Sequence, residues 1–365
     1  MIQITKFRLL SLAGVSIGLW IGAAGCHRKQ AIAPTTPATG TITGKKATGL
    51  NAAGQAAPLS AQQLALKPNE AGVVPILMYH SIAVKGSQRV PADKVSSYVR
   101  SPAGFRKELQ QMYDNDYRAV NLSEYLNNRI DIPLGKSPVV LTFDDARETQ
   151  FRYMPDGSID PDCAIGILQE FSHAHPDWPV KATFFVQPSP GVHTGFGQPE
   201  STQKKMQELV KMGCEIENHT LTHANLKKLS DENVQKEIVR CQEEIQKLIP
   251  NAKVDAFALP FGVSPVNRAL TVDGQFNGIR YHNRAVLLVG AEPARAVISK
   301  RFKPDRIPRV QAADGVACSS QWLLQIKLSR ARYVSDGDPA ITTIPKSLVS
   351  RIDIKRLNGA ILRTY

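Results

Sequence analysis

The chain has 365 residues, a formal net charge of +13 and an apolar fraction of 42%, enough to bury a sizeable core in one large domain or two smaller ones. So basic a balance favours anionic surfaces such as cell-wall polymers or acidic headgroups. It carries no helix-turn-helix pattern, zinc-finger spacing or aromatic-basic stripe, so no nucleic-acid partner is expected. Five cysteines (Cys26, Cys163, Cys214, Cys241 and Cys318) include no C-x-x-C pair, which argues against a zinc knuckle or a thioredoxin-like motif.

In chain order, Lys6 and Arg8 precede an uncharged run from Leu9 to Gly25, and Ala23-Ala24-Gly25 then meets Cys26. A basic start, an apolar run and small residues before a break are the parts of a secretory signal. A Cys directly after them resembles a bacterial lipoprotein signal, in which Cys26 would be lipidated. A simple signal peptide or an uncleaved anchor helix are the alternatives. Each of the three predicts an exported protein of the cell envelope, and two of them a membrane-anchored one. Residues 27–72 are rich in Ala, Thr, Pro and Gly, too poor in large apolar groups to pack, and read as a disordered tether.

From Val73 onward, short apolar runs alternate with helical patterns. The expected strands are Val74–Tyr79, Val139–Phe143, Ala182–Val186, Glu215–Asn218 and Asp255–Leu259. They are continuous runs, as strands covered on both faces should be. Pro102–Asn115 puts Phe105, Leu109 and Met112 on one stripe, and Asp231–Leu248 repeats apolar groups at helical spacing behind Ser230 as N-cap. A third helix should end at Gly213. The alternation predicts a parallel sheet wound with helices, open or closed into a barrel. The main domain is expected over 73–330, followed by a C-terminal extension, 331–365, with turn chemistry around Tyr333–Pro339.

Several of these strands end in polar or special residues: His80, Asp144-Asp145, His219 and Pro260-Phe261-Gly262. In parallel α/β folds the C-terminal strand ends converge on one face, where ligands bind. His219 and His223 are four apart, which on a helical turn would put both imidazoles on one side of a metal. Two imidazoles and two carboxylates suffice for metal-assisted hydrolysis, three groups holding a divalent cation and the fourth acting as base. Each pair by itself has a plainer reading, as incidental histidines in a polar loop and as carboxylates capping a helix.

Thr142-Phe143-Asp144-Asp145 followed by His219-Thr220-Leu221-Thr222-His223 resembles the polysaccharide deacetylase family, the NodB-homology group of carbohydrate esterase family 4. Ile76–His80, Ala182–Val186 and Phe257–Gly262 match in the same order, so the resemblance covers about Val73 to Arg309. It implies a distorted (β/α) barrel. It implies Asp144 as general base, and Asp145, His219 and His223 as ligands of one divalent metal, zinc in the first place and cobalt or nickel otherwise. A water on that metal would be the nucleophile, and a backbone N–H near Phe261 would help hold the oxyanion. The implied activity is removal of N-acetyl groups from an envelope or extracellular polysaccharide. An O-acetyl esterase and a non-catalytic carbohydrate-binding protein remain alternatives.

The match departs from the family pattern in two ways. The family motif corresponding to Phe257–Gly262 carries an Arg that pairs with the base, and here Ala258 stands nearest. The late motif with the acid His is also missing, so His80 and His282 are the candidates for that role. Pro260, Phe261, Gly262 and Tyr79 are candidate substrate contacts, with Trp322 a further stacking residue. Asp305, Arg306 and Arg309 would line a sugar groove or form surface ion pairs.

Overall fold

The computed structural model describes residues 55–83, 98–188 and 194–365. The leader, Cys26 and most of the expected tether therefore lie outside the described residues. Among the described residues, no helix is long and apolar enough to cross a membrane.

Eight strands form one parallel sheet: β1 Ile76–Tyr79, β2 Tyr117–Val120, β3 Ser137–Asp144, β4 Thr183–Val186, β5 Glu215–Asn218, β6 Ala256–Ala258, β7 Ala285–Leu287 and β8 Val310–Gln311. Their order is β7-β6-β5-β4-β3-β1-β8, with β2 pairing the first half of β3 and β4 its second half. The sheet curls, because the segment before β8 reaches the other edge: Ile307 bridges to Leu287 while Val310 pairs with Leu77. All eight residues of β3 are buried, which accounts for its unbroken apolar sequence.

Side chains alternate across β3. Val139, Leu141 and Phe143 pack outward into the larger core with Phe105, Leu109 and Met112 of the helix Pro102–Asp114 and with Ile167 and Leu168 of the helix Ala164–Ala174. Val140 packs on the other face with Ile76, Ala256, Ala258 and Leu287. Because the period of a strand is two, Thr142 and Asp144 share the face of Val140 and point into the curl. A strand running to its last residue in apolar sequence thus delivers a carboxylate to the C-terminal mouth of the sheet.

The helices follow their sequence signals. Ser101 caps Pro102–Asp114 by accepting from Gly104 N, and Ser230 caps Asp231–Leu248 by accepting from Asn233 N. Gly213 ends Thr202–Met212 with φ of 103°, a conformation glycine adopts without steric cost. Three of the strands, β2, β7 and β8, were not among those expected. β8 and β7 are only two and three residues long, too short for a periodic signal, and β2 carries Arg118 in its apolar run.

Two stretches of expected irregular chain are built into the fold. Residues 55–72, the end of the expected disordered tether, include a helix at Ala61–Leu66 with a full capping box and the buried pair Asn69 and Glu70. In the C-terminal extension, Ile341–Ile344 pairs in parallel with Ile361–Thr364. The two stretches meet: Asn69 and Val334 exchange backbone hydrogen bonds at 2.8 and 3.1 Å, and Glu70 Oε2 accepts from Thr343 N at 2.7 Å. The four cysteines among the described residues are free, and Cys214 and Cys241 are buried core groups.

Candidate metal centre and active site

Asp144 ends β3, and Asp145 follows it with φ of 81°. This left-handed turn, costly for a non-glycine residue, lets two adjacent carboxylates face one space instead of opposite sides of a strand. Asp145 N donates to Phe185 O, and Gln150 Nε2 holds the carbonyls of both Asp144 and His80.

The histidine pair arrives differently from the sequence expectation. Residues 219–223 form no helical turn. They make a tight loop with Thr220 and His223 both at positive φ, started by Asn218 Oδ1 accepting from Thr220 N and anchored by Glu237, which accepts from Thr222 N and Oγ1. The loop brings the two rings to a centroid distance of 4.9 Å. His219 Nδ1 donates to Ala258 O at 2.8 Å, which leaves Nε2 as the free ring nitrogen.

His219 Nε2 lies 3.5 Å and His223 Nε2 3.4 Å from the same Asp145 oxygen, Oδ1. The other oxygen, Oδ2, is held by Arg147 through Nε and Nη2 at 2.9 and 2.6 Å. Asp145 Oδ1 is buried and accepts no hydrogen bond. A buried carboxylate oxygen left open between two imidazole nitrogens suits a divalent cation, which would satisfy all three. One oxygen and two nitrogens are a donor set for zinc and its first-row neighbours.

Asp144 is not part of that trio. Both its oxygens bind the guanidinium of Arg309, Oδ1 to Nη1 and Oδ2 to Nη2, each at 2.7 Å. Arg309 is fully buried and is itself tied by Nε to Leu288 O and by Nη1 to Thr142 Oγ1. The arginine missing from the Phe257–Gly262 motif is therefore replaced in space from the segment that closes the sheet. This corrects the expectation of Arg309 as a groove or surface residue. Arg147 is the site residue that sequence reasoning missed, and Arg309 the one to which it gave another role. Arg309 had one usable signal, a lone cation in the apolar strand-like run Ile307–Val310 of a chain that lacked its expected arginine.

The electrostatics separate the two carboxylates. Burial pushes both up, but Arg309 overrides it at Asp144, and at Asp145 His219 and then Arg147 do so, leaving both below the usual carboxylate range. Burial lowers His219, and the facing Asp144 and Asp145 raise it on balance. His223 is lowered, by burial and then by His219.

The remaining expected residues divide. His80 lies close to the two carboxylates, with Nδ1 buried and unpartnered. Burial lowers its pKa to about 4 against the pull of Asp144 and Asp145, so at neutral pH it is a neutral imidazole and a poor acid. His282 stands on an exposed hairpin, Asp273–His282, bonded to Asp273 Oδ1 at 2.6 Å. That hairpin packs on the helix Asp231–Leu248 and is no strand of the parallel sheet, so nothing places His282 at the mouth. Tyr79 is core: it stacks on Phe143 and its hydroxyl donates to Glu108. It offers no face to a sugar. Phe261 does, being 60% exposed, with its ring centroid 4.4 Å from that of His223 in an edge-on arrangement. Pro260 is buried beneath it, and Gly262, at φ of 68°, leaves no room for a Cβ, which would sit 2.8 Å from Val289 Cβ.

Comparison with known proteins agrees with this picture. Residues 131–281 match a family model described as polysaccharide deacetylase. Over 175 residues the chain is 26% identical to "Putative polysaccharide deacetylase YxkH" of Bacillus subtilis (strain 168), covering 47% of this chain and 51% of that one. The chain thus spans about half the length of the curated relative it matches. Among solved structures, the Streptococcus pyogenes deacetylase PplD in complex with acetate superposes with a TM-score of 0.50 at 22% identity, covering 69% of this chain and 97% of that one; likeness at this identity speaks to the fold. The matched stretch, residues 131–281, contains Asp144, Asp145, His219 and His223 and is, by that model, a polysaccharide deacetylase domain.

Proposed function

We propose that the protein is a divalent-metal-dependent hydrolase that removes N-acetyl groups from an envelope or extracellular polysaccharide. The observation that carries this reading is the division of labour at the mouth of the sheet. Asp145, His219 and His223 offer ligand atoms within 4.8 Å of one another, while Asp144 stands beside them on a separate arginine.

Bound by those three groups, a cation such as zinc would polarise the acetyl carbonyl and make a water acidic enough to attack. Asp144 would accept the proton from that water. Arg309 keeps it ionised and aimed through a two-point hydrogen bond. His219 is oriented by Ala258 O, and Asp145 by Arg147, so neither ligand needs to reorganise. Phe261 would stack on a sugar ring beside His223. With Arg309 supplying the charge that the Phe257–Gly262 motif lacks, the site reads as that of a hydrolase more readily than as a degraded sugar-binding site. Export, with Cys26 lipidated and the domain tethered to the membrane, completes the proposal and rests on the sequence signal alone.

The test measures acetate release from chito-oligosaccharides and, separately, from acetyl-xylan, with zinc, cobalt or nickel added. Release from the first substrate only is expected; release from acetyl-xylan only would replace N-deacetylation by ester hydrolysis. Asp144→Asn should abolish turnover and keep one metal per chain, whereas His223→Ala should lower metal content. Loss of metal in Asp144→Asn, with retention in His223→Ala, would overturn the assignment.

A further inference from the structure

Seven cations line one depression on the outside of the sheet, and the site described above uses none of them. The depression consists of two hollows of about 860 and 880 Å³ that share Val73, Arg295, Lys300, Arg301 and Ala331 as walls. Arg330 and Arg351 extend the charge into the first hollow, and Lys303 and Arg306 into the second. All seven side chains are exposed. Among the described residues none of the seven pairs with a carboxylate, although nearby Arg332, Arg356 and Arg363 each face an aspartate. Glu292 is the one acidic residue on either wall.

The depression follows the seam at which the sheet closes. One end lies where Val73–Val74 pairs with Ala294–Arg295. The other reaches Leu288 and Pro308, beside Arg309, the residue that holds Asp144. Like charges crowded into a hollow repel one another and raise the local potential, which an anionic ligand relieves. Five of the seven are arginines, whose planar forks match carboxylates. Trp322, half-buried and held by its Nε1 on Ala291 O, adds a ring to the second hollow. An aromatic face among guanidinium groups suits a sugar bearing a carboxylate. The concave surface suits a single strand and does not fit a flat bilayer.

We propose that this depression binds a strand of an acidic, carboxylate-bearing polysaccharide. The site is separate from the catalytic mouth and its binding requires no turnover; only the choice of a glycan over other polyanions leans on the proposed function.

The experiment compares the full chain with its Arg301→Glu/Arg330→Glu variant for binding of oligogalacturonate, neutral chito-oligosaccharide and linear polyphosphate. Oligogalacturonate should bind the parent chain and weaken with added salt. The double variant should bind it roughly tenfold or more weakly, and Trp322→Ala should weaken it too, with unfolding midpoints unchanged. If the double variant misfolds, Lys300→Gln/Arg351→Gln serves in its place. Equal binding by parent and variant would overturn the proposal, as would equal affinity for the neutral glycan. Polyphosphate binding as tightly, with Trp322→Ala without effect, would overturn the assignment to a sugar. Acetate release from chito-oligosaccharide should be the same in parent and double variant; if neither releases acetate, the deacetylase reading fails while the binding comparison still decides this one.

Discussion

Asp144 and Arg309 form the pair on which the site's charge balance turns. Both are buried, and their two-point contact is reinforced by Thr142 Oγ1 and Leu288 O. Removing one partner of a buried pair strands the other charge and costs about 3–5 kcal/mol. Arg309→Met is therefore expected to lower the urea midpoint substantially and to reduce turnover, with metal content kept because Asp145 has its own arginine. Arg309→Lys should recover only part of both losses, since a point charge cannot make the fork. A variant as stable and active as the parent would show that Asp144 does not depend on this contact. The Asp144-Asp145 pair was legible from residue order. Its arginine was not, because 165 positions separate the partners and no local pattern links them.

Loops, more than strands, set the geometry of the site. Asp145, Ala146, Thr220, His223 and Phe261 all have positive φ without being glycine, an unusual concentration of strain that marks functional backbone. The strands that carry these loops were readable as short runs ending in polar or special residues, Glu215–Asn218 to the residue. The loops were not, since the spacing of His219 and His223 fits a helical turn as well as the bend they adopt. Gly262 tests this scale. Gly262→Ala adds a Cβ at φ of 68° and 2.8 Å from Val289 Cβ, which should cost more than about 1 kcal/mol. It should also raise KM by displacing Phe261, with metal content unchanged. An unaltered KM would mean that Phe261 does not touch substrate.

At the scale of the molecule, residues 55–72 lock onto the C-terminal stretch 331–365. Glu70 is buried and accepts from the amides of Thr343 and Asp336. Burial, and then the charge of Asp336, raise its carboxyl well above the usual carboxylate range. A carboxyl raised in the folded state holds its proton there while the unfolded chain releases it. Its stabilising contribution is thus complete below the unfolded value and is lost as pH rises through the folded one. The parent should therefore lose stability as pH rises above the ordinary carboxylate range, and Glu70→Gln should flatten that decline, as read from urea midpoints along a rising pH series. Parallel midpoints in the two proteins would remove Glu70 as the cause. The same contacts explain why residues 55–72 are ordered: their composition is tether-like, but they acquire partners from 331–365 that sequence could not supply.

The sequence by itself determined the alternation of buried strands and capped helices, the resemblance to polysaccharide deacetylases, and the four side chains that end two of those strands. These are local properties, written in apolar runs, cap residues and motif spacing. Tertiary structure alone decided that Arg309 serves Asp144, that Tyr79 is core and His282 stands apart, and that seven cations share one depression. Each of those depends on which distant segments the curl of the sheet brings into contact, and period and propensity carry no record of such distances.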